Sequence, residues 1–395
     1  MANKRIALIC NTYIRNYGSV LQSLATFIAL KKLGFDVDVV NYKDYPSAKE
    51  KIEIFIRLKL PMIKDTSFIL KKLRNKLSTL YDKDYSQIVN KRNDIFDDYV
   101  KKHFSFTKKC TNKEEVQSLV ASYDAVIIGS DQLWGPADII RDYHTLNFVP
   151  HSISKISYAT SFGVSKLPTF LNKRTSYFLK RMDDISVRED SGANIIKTLT
   201  NIDVPVVVDP TLLLANLDWD NIIEKSTPRK IKSDYIFCFF LGDNKEQRDL
   251  SKMISKQMGL PIVSIQHMDE YVKGVEDFAD INYNDASPSE FIELIKNAKL
   301  VLCDSFHASV FSIQYKKLFY TFNRYNPNSS NARNSRIETL LTRLGISQRH
   351  ITNVKEIDVE RLISATIDYD HVCKYLGDWK KRSYEYLTNS LYSIR

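Results

Sequence analysis

Short apolar runs alternate with longer amphipathic stretches along most of this chain. The first apolar run spans residues 6–10, a helical pattern over 19–33 follows and ends at Gly34, and a second apolar run spans 35–40. Short apolar runs are typical of buried strands, and amphipathic stretches between them are typical of helices that connect parallel strands. The start of the chain therefore predicts a βαβ unit. Further strands of the same series are predicted at 123–128, 156–159, 184–187 and 204–208.

A second series of the same kind begins near residue 235, after a mostly polar stretch at 226–233 that we interpret as a hinge. Two such series predict two Rossmann-like α/β domains in a GT-B-like arrangement, with a C-terminal helix crossing back to the first domain. Strands of the second series are predicted at 235–241, 261–265, 300–303 and 318–322, and helices at 245–258, from 287 onwards and at 336–344. The predicted domains are 1–215 with a basic helical insertion at about 46–116, 230–370, and a C-terminal helix at 371–395.

One strand-to-helix junction in the second series carries the strongest chemical signal. Residues 300–303 are apolar, Asp304 and Ser305 follow as the predicted N-cap, and His307 then lies in the first turn of a helix. Unpaired backbone N–H groups and the helix dipole favour an anion there, beside a titratable imidazole. The junction therefore predicts a site for phosphate chemistry. The alternative is a histidine that only satisfies nearby carbonyls.

Polar residues also follow the strands of the first series. Asn16 and Gly18 come after the first strand, where they suit a hydroxyl-rich ligand, although turn chemistry alone explains both. Asp131, Gln132 and Trp134 follow the third strand. A carboxylate and an amide beside an aromatic face are suited to binding a sugar ring. The alternative is an Asp N-cap beside a core tryptophan.

Arginines follow two other strands. Arg188 comes directly after the strand at 184–187, and its planar guanidinium suits a carboxylate or a phosphate, with pairing to a neighbouring carboxylate as the alternative. The loop at 323–336 holds three arginines, of which Arg336 is the one expected to reach the same cleft. Because such sheets bind ligands at the carboxyl ends of their strands, these side chains are candidates for an anion site. No cluster in the sequence has the spacing of a metal site, so no metal is expected.

The net charge of +10 is unevenly distributed. Residues 51–110 hold 15 Lys and Arg against 7 Asp and Glu, and residues 51–60 interleave basic with bulky apolar side chains. This pattern favours contact with an anionic membrane, and a solvated helical face is the alternative. Nucleic acid is not expected as a partner, because no binding module accompanies the charge.

The five scattered cysteines and the absence of a signal-peptide pattern predict a location in the cytoplasm. No apolar stretch approaches the length of a membrane span. We therefore expect a cytoplasmic protein. The basic segment at 51–110 adds the expectation of peripheral contact with the inner face of the membrane.

Five short motifs, in order over nearly the whole chain, resemble the polysaccharide pyruvyl transferase family. The resemblance implies a GT-B-like fold and transfer of the enolpyruvyl group of phosphoenolpyruvate onto a sugar of a polysaccharide or lipid-linked glycan precursor, as in capsule biosynthesis, which leaves a pyruvate ketal. It implies phosphoenolpyruvate as co-substrate and no cofactor. The motifs are Asn-Tyr-Gly-Ser-Val-Leu-Gln from Asn16, Gly-Ser-Asp-Gln-Leu-Trp from Gly129, Ser-Val-Arg-Glu from Ser186, Val-Asp-Pro-Thr-Leu-Leu from Val208 and Asp-Ser-Phe-His-Ala-Ser-Val-Phe-Ser-Ile from Asp304.

The resemblance also implies roles for individual residues. His307 matches the catalytic histidine of the family, and Arg188 matches a separate donor-binding arginine. The remaining donor-binding candidates, expected in the C-terminal domain, are Ser305, Phe306 and Arg336. The acceptor-binding candidates, expected in the N-terminal domain, are Asn16, Gly18, Asp131, Gln132 and Trp134.

This chain departs from the family pattern at one position. The family carries an arginine two residues before the histidine, and Ser305 stands there instead. Ser305 can still hydrogen-bond a phosphate oxygen, and Arg336 or Arg324 can supply the missing charge. Two alternatives stay open: a nucleotide-sugar glycosyltransferase of the GT-B type, for which Asp304 is the obvious residue to bind a ribose, and a catalytically silent glycan-binding relative.

Overall fold

The structure, a computed structural model, describes residues 4–60, 83–225, 229, 231, 233–266, 278–324, 335–355 and 357–394. The chain divides into two compact units. As far as the structure describes them, the first unit combines Met1–Thr66, Val100–Leu214 and Gly377–Arg395, and the second combines Ser67–Tyr99 and Ala215–Leu376.

The described elements place one or more helices between most successive strands, as the apolar pattern predicts. In the first half they are β1 (Arg5–Ile9), α1 (Tyr17–Lys32), β2 (Asp36–Val39), α2 (Ala48–Ile54), α3 (Lys83–His103), α4 (Lys113–Val120), β3 (Ala125–Ile128), α5 (Pro136–Arg141), β4 (Ser154–Thr160), α6 (Asn172–Leu179), β5 (Asp184–Val187), α7 (Asp190–Thr200), α8 (Pro210–Leu213) and α9 (Asn216–Glu224). In the second half they are β6 (Ile236–Phe239), α10 (Lys245–Met258), β7 (Ile262–Ser264), β8 (Ile281–Asn282), α11 (Pro288–Asn297), β9 (Leu300–Cys303), α12 (Phe306–Gln314), β10 (Leu318–Phe322), α13 (Ser335–Arg343), β11 (His350–Ile351), α14 (Val359–Ser364) and α15 (Tyr369–Tyr392).

A five-stranded parallel sheet in the order β2-β1-β3-β4-β5 forms the centre of the first unit. Every residue of β3 and β4 is buried, which is typical of parallel strands covered on both faces. The strand order reverses between β1 and β3. In open parallel sheets, ligands bind outside the carboxyl ends of the strands at such a switch point. The loops after β1 and β3 are therefore the ones that position a site.

The second unit contains a six-stranded parallel sheet in the order β11-β10-β9-β6-β7-β8. This is the doubly wound order of dinucleotide-binding folds, and its switch point lies between β6 and β9. Ser287 caps α11 in a capping box with Glu290, as the sequence predicts. The residues that follow β6 and β9 are thus adjacent in space although they are more than fifty positions apart in sequence.

Three elements differ from the sequence-based expectations. Residues 204–208 do not form a strand; they make a single bridge between Val187 and Val206, since Pro205 has no N–H to donate. The short edge strands β8 and β11 have two residues each, too few to show a periodic pattern. The hinge at 226–233 lies mostly outside the described residues.

The predicted basic insertion at 46–116 does not belong to one unit. Residues 46–60 group with the first unit, whereas residues 83–99 group with the second, where Phe96 and Tyr99 are buried and Lys91 pairs with Asp285 at 2.6 Å. Phe106 instead bridges to Val39 in the first unit. The long helix α3 therefore carries residues of both units, which its charge pattern does not reveal.

The C-terminal part of α15 packs on the first unit, so the predicted return of this helix is confirmed. Trp379 Nε1 donates to the carbonyl of Val206 at 2.8 Å, and Ser383 Oγ accepts from the N–H of Val208 at 3.0 Å. Tyr384 donates to the carbonyl of Leu213 at 2.9 Å. Through the ranges that the structure describes, no helix combines the length and the apolar character needed to cross a membrane.

Candidate functional site

The predicted histidine lies at the switch point of the second unit. Ser305 is the N-cap of α12, with extended backbone angles of −108° and 128°, and its Oγ accepts from the N–H of Ala308 at 3.4 Å. His307 is the second residue of this helix and is buried, at 7% exposure. The imidazole therefore lies in the first turn of the helix, beside backbone N–H groups of the kind that bind anions.

Asp304 is not part of the helix cap, contrary to the sequence-based interpretation. Its carboxylate accepts hydrogen bonds from the N–H groups of Leu241 and Gly242, both at 2.8 Å. The side chain has no exposed surface. Asp304 therefore ties the loop after β6 to the end of β9, and the cap is formed by Ser305 alone.

Arg324 is held beside this carboxylate at the end of β10. Its Nη2 donates to the carbonyl of Asp304 at 3.0 Å, and its Nε lies 3.6 Å from Asp304 Oδ1. One quarter of the side chain is exposed. The guanidinium of Arg324 is therefore held by Asp304 at the junction that also carries His307.

Arg336 approaches the junction from α13. Its guanidinium carbon lies 5.6 Å from the centroid of the Phe306 ring, and that ring packs edge-on against His307 at 5.1 Å. The structure thus brings together the four predicted residues of this unit, Ser305, Phe306, His307 and Arg336. It adds Asp304 and Arg324 as neighbours. The roles of these residues in binding or catalysis stay predictions.

Cys303 is the reactive side chain closest in sequence to this junction. Burial raises the pKa of its thiol to about 11, and hydrogen bonds to Ser309 and to the backbone of Ser305 only partly oppose that effect. A thiol with such a pKa stays protonated at neutral pH and is a poor nucleophile. Cys303 is therefore a core residue, and His307 is the better candidate for proton transfer.

Gly242 permits the close approach of the two loops. A Cβ added at this position would lie 3.0 Å from Asp304 Oδ2 and 3.3 Å from Arg324 Cγ. We expect Gly242→Ala to push both side chains from their places and to lower the free energy of unfolding by about 1–3 kcal/mol. Gly377→Ala is the matched control, because a Cβ there meets nothing within 4 Å and the residue lies inside α15. Equal unfolding midpoints for the two variants would contradict this prediction.

A second polar cluster surrounds Asp131 at the switch point of the first unit. Asp131 has a backbone φ of +81°, a conformation that costs a non-glycine residue about 1–3 kcal/mol and is concentrated at functional positions. Its carboxylate accepts from Ser19 Oγ at 2.6 Å and from Asn11 Nδ2 at 3.4 Å. The loops after β1 and β3 are thereby joined at the point where such sheets bind ligands.

Arg188 lies in the same unit and is almost completely buried, with 1% of its side chain exposed. Its Nη1 is 2.7 Å from Asp209 Oδ2 and its Nη2 is 3.7 Å from Asp131 Oδ1. Burial alone would lower the pKa of the guanidinium, but Asp209, Asp131 and Glu189 outweigh it and raise the pKa above its usual range. Arg188 is therefore a permanently charged group that joins two carboxylates.

Three other predicted acceptor residues, Asn16, Gly18 and Gln132, differ in their structural surroundings. Asn16 is the N-cap of α1, where its Oδ1 accepts from the N–H of Ser19 at 3.3 Å, and Gly18 is buried in the first turn. Gln132 packs against Gly163, where an added Cβ would lie 2.6 Å from Gln132 Oε1. Asn16 and Gly18 thus shape the turn that carries Ser19.

Trp134 is a core residue in this structure. Its indole has no exposed surface and packs against Phe162 and Phe178, each at 5.4 Å between centroids. Its Nε1 donates to the carbonyl of His144 at 3.1 Å. No face of the ring is available for stacking on a sugar, so the core alternative describes Trp134 and we leave it out of the proposed site.

Sequence reasoning did not single out several residues of the first-unit cluster. Ser19 and Asp209 lie inside motifs that resemble the family. Their spacing along the chain does not show that Ser19 contacts Asp131 or that Asp209 contacts Arg188. Ser130 and Asn11 look like ordinary turn residues. Arg188 contacts Asp131 and Asp209, two carboxylates that are distant from it in sequence.

Comparison with known proteins confirms the predicted family. A family model described as polysaccharide pyruvyl transferase matches residues 16–325, which is most of the chain. A search among curated protein sequences gave no match.

Solved structures of low sequence identity share the fold over the whole chain. One is the UDP-N-acetylglucosamine 2-epimerase from Rickettsia bellii, with 10% identity, a TM-score of 0.51 and coverage of 98% of this chain and 96% of that one. Another is the UDP-GlcNAc 2-epimerase from Neisseria meningitidis bound to UDP-GlcNAc, with 10% identity, a TM-score of 0.50 and coverage of 98% and 99%. At this identity the likeness concerns the fold, and the predicted class of two Rossmann-like α/β domains of the GT-B type is confirmed.

Proposed function

The chain belongs to the polysaccharide pyruvyl transferase family, a family of transferases, and from this premise we propose that it transfers the enolpyruvyl group of phosphoenolpyruvate onto a sugar. The acceptor that we propose is a sugar of a polysaccharide or of a lipid-linked glycan precursor, and the product is a pyruvate ketal. We further propose that the reaction takes place in the cytoplasm.

The observation that supports this proposal is the placement of His307. A titratable imidazole lies in the first turn of α12, next to the N-cap Ser305, while Arg324 contacts the neighbouring Asp304 and Arg336 lies over the Phe306 ring. Phosphoenolpyruvate is the phosphate ester of a small enol and also carries a carboxylate. Helix N–H groups and arginines are suited to hold such anions, and the imidazole is suited to move a proton beside them.

The proposed chemistry needs one proton donor and one proton acceptor in turn. Protonated His307 gives its proton to the methylene carbon of phosphoenolpyruvate, which leaves positive charge at the carbon that bears the phosphate. One hydroxyl of the sugar adds to that carbon and returns its proton to His307. A second hydroxyl of the same sugar then displaces phosphate, which leaves with the remaining proton, and the ketal closes. The nearby anion-binding groups stabilise the charge on the departing phosphate.

Arg324 is the residue that we propose in place of the arginine that the family carries at position 305. Its guanidinium is fixed by Asp304 through two contacts, at 3.0 Å and 3.6 Å, and it is partly exposed. A cation held in advance loses little conformational freedom when it binds a phosphate. Ser305 then keeps the helix capped while Arg324 supplies the charge.

The acceptor is proposed to contact the polar cluster around Asp131. A carboxylate that already accepts from Ser19 and Asn11 has further lone pairs for sugar hydroxyls. One structural neighbour is described as bound to UDP-GlcNAc, so a sugar attached to a nucleotide belongs among the acceptors to be tested. Arg188 is proposed to act on the donor as the family resemblance implies.

The proposal is tested by mass spectrometry of candidate glycans after incubation with the full-length protein and phosphoenolpyruvate. We expect a product with the added mass of a pyruvate ketal, together with one phosphate released for each product. Transfer of a glycosyl group from a UDP-sugar without phosphoenolpyruvate would instead establish the glycosyltransferase alternative. Binding of glycans with neither reaction would establish the silent relative.

The role of Arg324 is tested with Arg324→Gln. We expect the KM for phosphoenolpyruvate to rise by roughly 10- to 100-fold, because a hydrogen bond to a charged group contributes about 1.5–3 kcal/mol, while the KM for the acceptor changes little. Arg361→Gln is the matched control, since Arg361 is an exposed arginine of α14 in the same unit. An unchanged donor KM in Arg324→Gln would assign the missing charge to another residue.

A further inference from the structure

A surface of mixed apolar and basic character lies on α2 and the π-helical turn that follows it, Phe55–Lys59, in the first unit. On the inner side of this segment, Ile54 and Leu58 pack against the core. The opposite side carries large apolar side chains that the protein leaves about half exposed: Ile52 (59%), Phe55 (48%), Ile56 (53%) and Leu60 (48%). Together with the exposed Lys51 and Lys59, these four residues are called the docking surface below.

Helical spacing arranges the docking surface as two adjacent stripes. Residues four apart in a helix lie on the same face, so Ile52, Ile56 and Leu60 form an apolar stripe. Lys51 and Lys59 lie beside it, on either side of Phe55 in the neighbouring stripe. Contiguous exposed apolar side chains on a folded protein mark an interaction site far more often than isolated ones do.

Charge on this segment is separated between its two sides. The acidic residues are bound by the protein itself, because Glu50 pairs with Lys113 at 3.4 Å and Glu53 pairs with Arg174 at 3.2 Å. Within the part of the chain that the structure describes, no carboxylate pairs with Lys51 or Lys59. The outward side is therefore both apolar and positively charged.

We propose that the docking surface binds an anionic lipid membrane. Large apolar side chains flanked by lysines suit the boundary between lipid headgroups and acyl chains, where the apolar side chains insert and the lysine stems extend towards the phosphates. A protein partner that binds the apolar stripe would not need lysines between the apolar residues. An anionic bilayer, in contrast, binds the apolar side chains and the lysines together. The inference goes beyond the proposed function and holds for any acceptor. The basic residues Lys71, Lys72 and Arg74 lie outside the described residues and carry no part of it.

Sedimentation of the full-length protein with lipid vesicles tests the proposal. We expect the protein to bind vesicles of phosphatidylcholine with phosphatidylglycerol at low salt and to be released as salt rises, since exposed charges are screened beyond about 10 Å at 0.1 M. Lys51→Gln with Lys59→Gln should weaken binding by roughly 30-fold. Phe55→Ser with Ile56→Ser should weaken it by roughly tenfold or more at any salt concentration.

Matched controls remove the same groups from other exposed positions. Lys256→Gln with Lys381→Gln takes away two exposed lysines, and Leu217→Ser with Met253→Ser takes away two apolar side chains that are 69% and 59% exposed. Both control variants should bind vesicles like the wild type, and all variants should keep their activity on a soluble acceptor. Equal losses in the controls, or no binding to anionic vesicles at low salt, would overturn the proposal. A dimer that Phe55→Ser with Ile56→Ser dissociates, without vesicle binding, would overturn it in favour of a second copy of this chain.

Discussion

Replacing His307 by alanine is expected to lower kcat for pyruvyl transfer by about two to four orders of magnitude, the usual contribution of a positioned general acid or base. The substitution should leave the fold intact, because alanine is the best helix former and α12 keeps its Ser305 cap. Binding of phosphoenolpyruvate should weaken much less than turnover, since the proposed anion contacts come from other groups. Steady-state kinetics with calorimetric titration of the donor measures both.

The matched control for this experiment is His151→Ala. His151 is exposed in the first unit, so its loss removes an imidazole without touching the junction after β9. The control should turn over like the wild type. Near wild-type turnover in His307→Ala would show that the imidazole is not the proton carrier. A loss of donor binding equal to the loss of kcat would assign His307 to binding.

The strand-to-helix junction after β9 could be predicted because the residues that form it are neighbours in sequence. The apolar run at 300–303, the serine at the cap and the helix that begins at Phe306 are neighbours in sequence, and each obeys a short-range rule. The switch point that makes this junction a site is not local. It depends on the pairing of β6 with β9, and the contact of Asp304 with Leu241 and Gly242 exists only because of that pairing.

Local rules also explain the positions where interpretation of the sequence was wrong. Asp304 looks like half of a cap because aspartate is a good capping residue, but tertiary hydrogen bonds from another loop take its carboxylate. Trp134 looks like a sugar-stacking ring beside polar residues, yet its indole fills the core between Phe162 and Phe178. In both cases the competing partner comes from a distant part of the chain, which the spacing of nearby residues does not show.

Asp209→Ala is expected to lower the free energy of unfolding by about 3–5 kcal/mol, because it leaves the Arg188 guanidinium buried without its 2.7 Å partner. Neither side chain has more than 1% of its surface exposed, so water cannot replace the lost carboxylate. Asp209 also caps α8 by accepting from the N–H and the hydroxyl of Thr211, at 3.1 Å and 2.7 Å. The measured loss in chemical or thermal unfolding therefore contains a cap contribution as well.

Two variants separate the cap from the charge. Asp209→Asn keeps an oxygen that accepts from Thr211 but removes the negative charge, so we expect most of the loss to persist. Asp358→Ala removes the cap of the exposed helix α14, where no buried arginine is involved, and should cost only about 0.5–2 kcal/mol. If Asp209→Ala costs no more than Asp358→Ala, the buried pair does not stabilise the first unit. If Asp209→Asn unfolds like Asp209→Ala, the charge of Asp209 holds Arg188 in place beside Asp131, and with it the cluster at the switch point between β1 and β3.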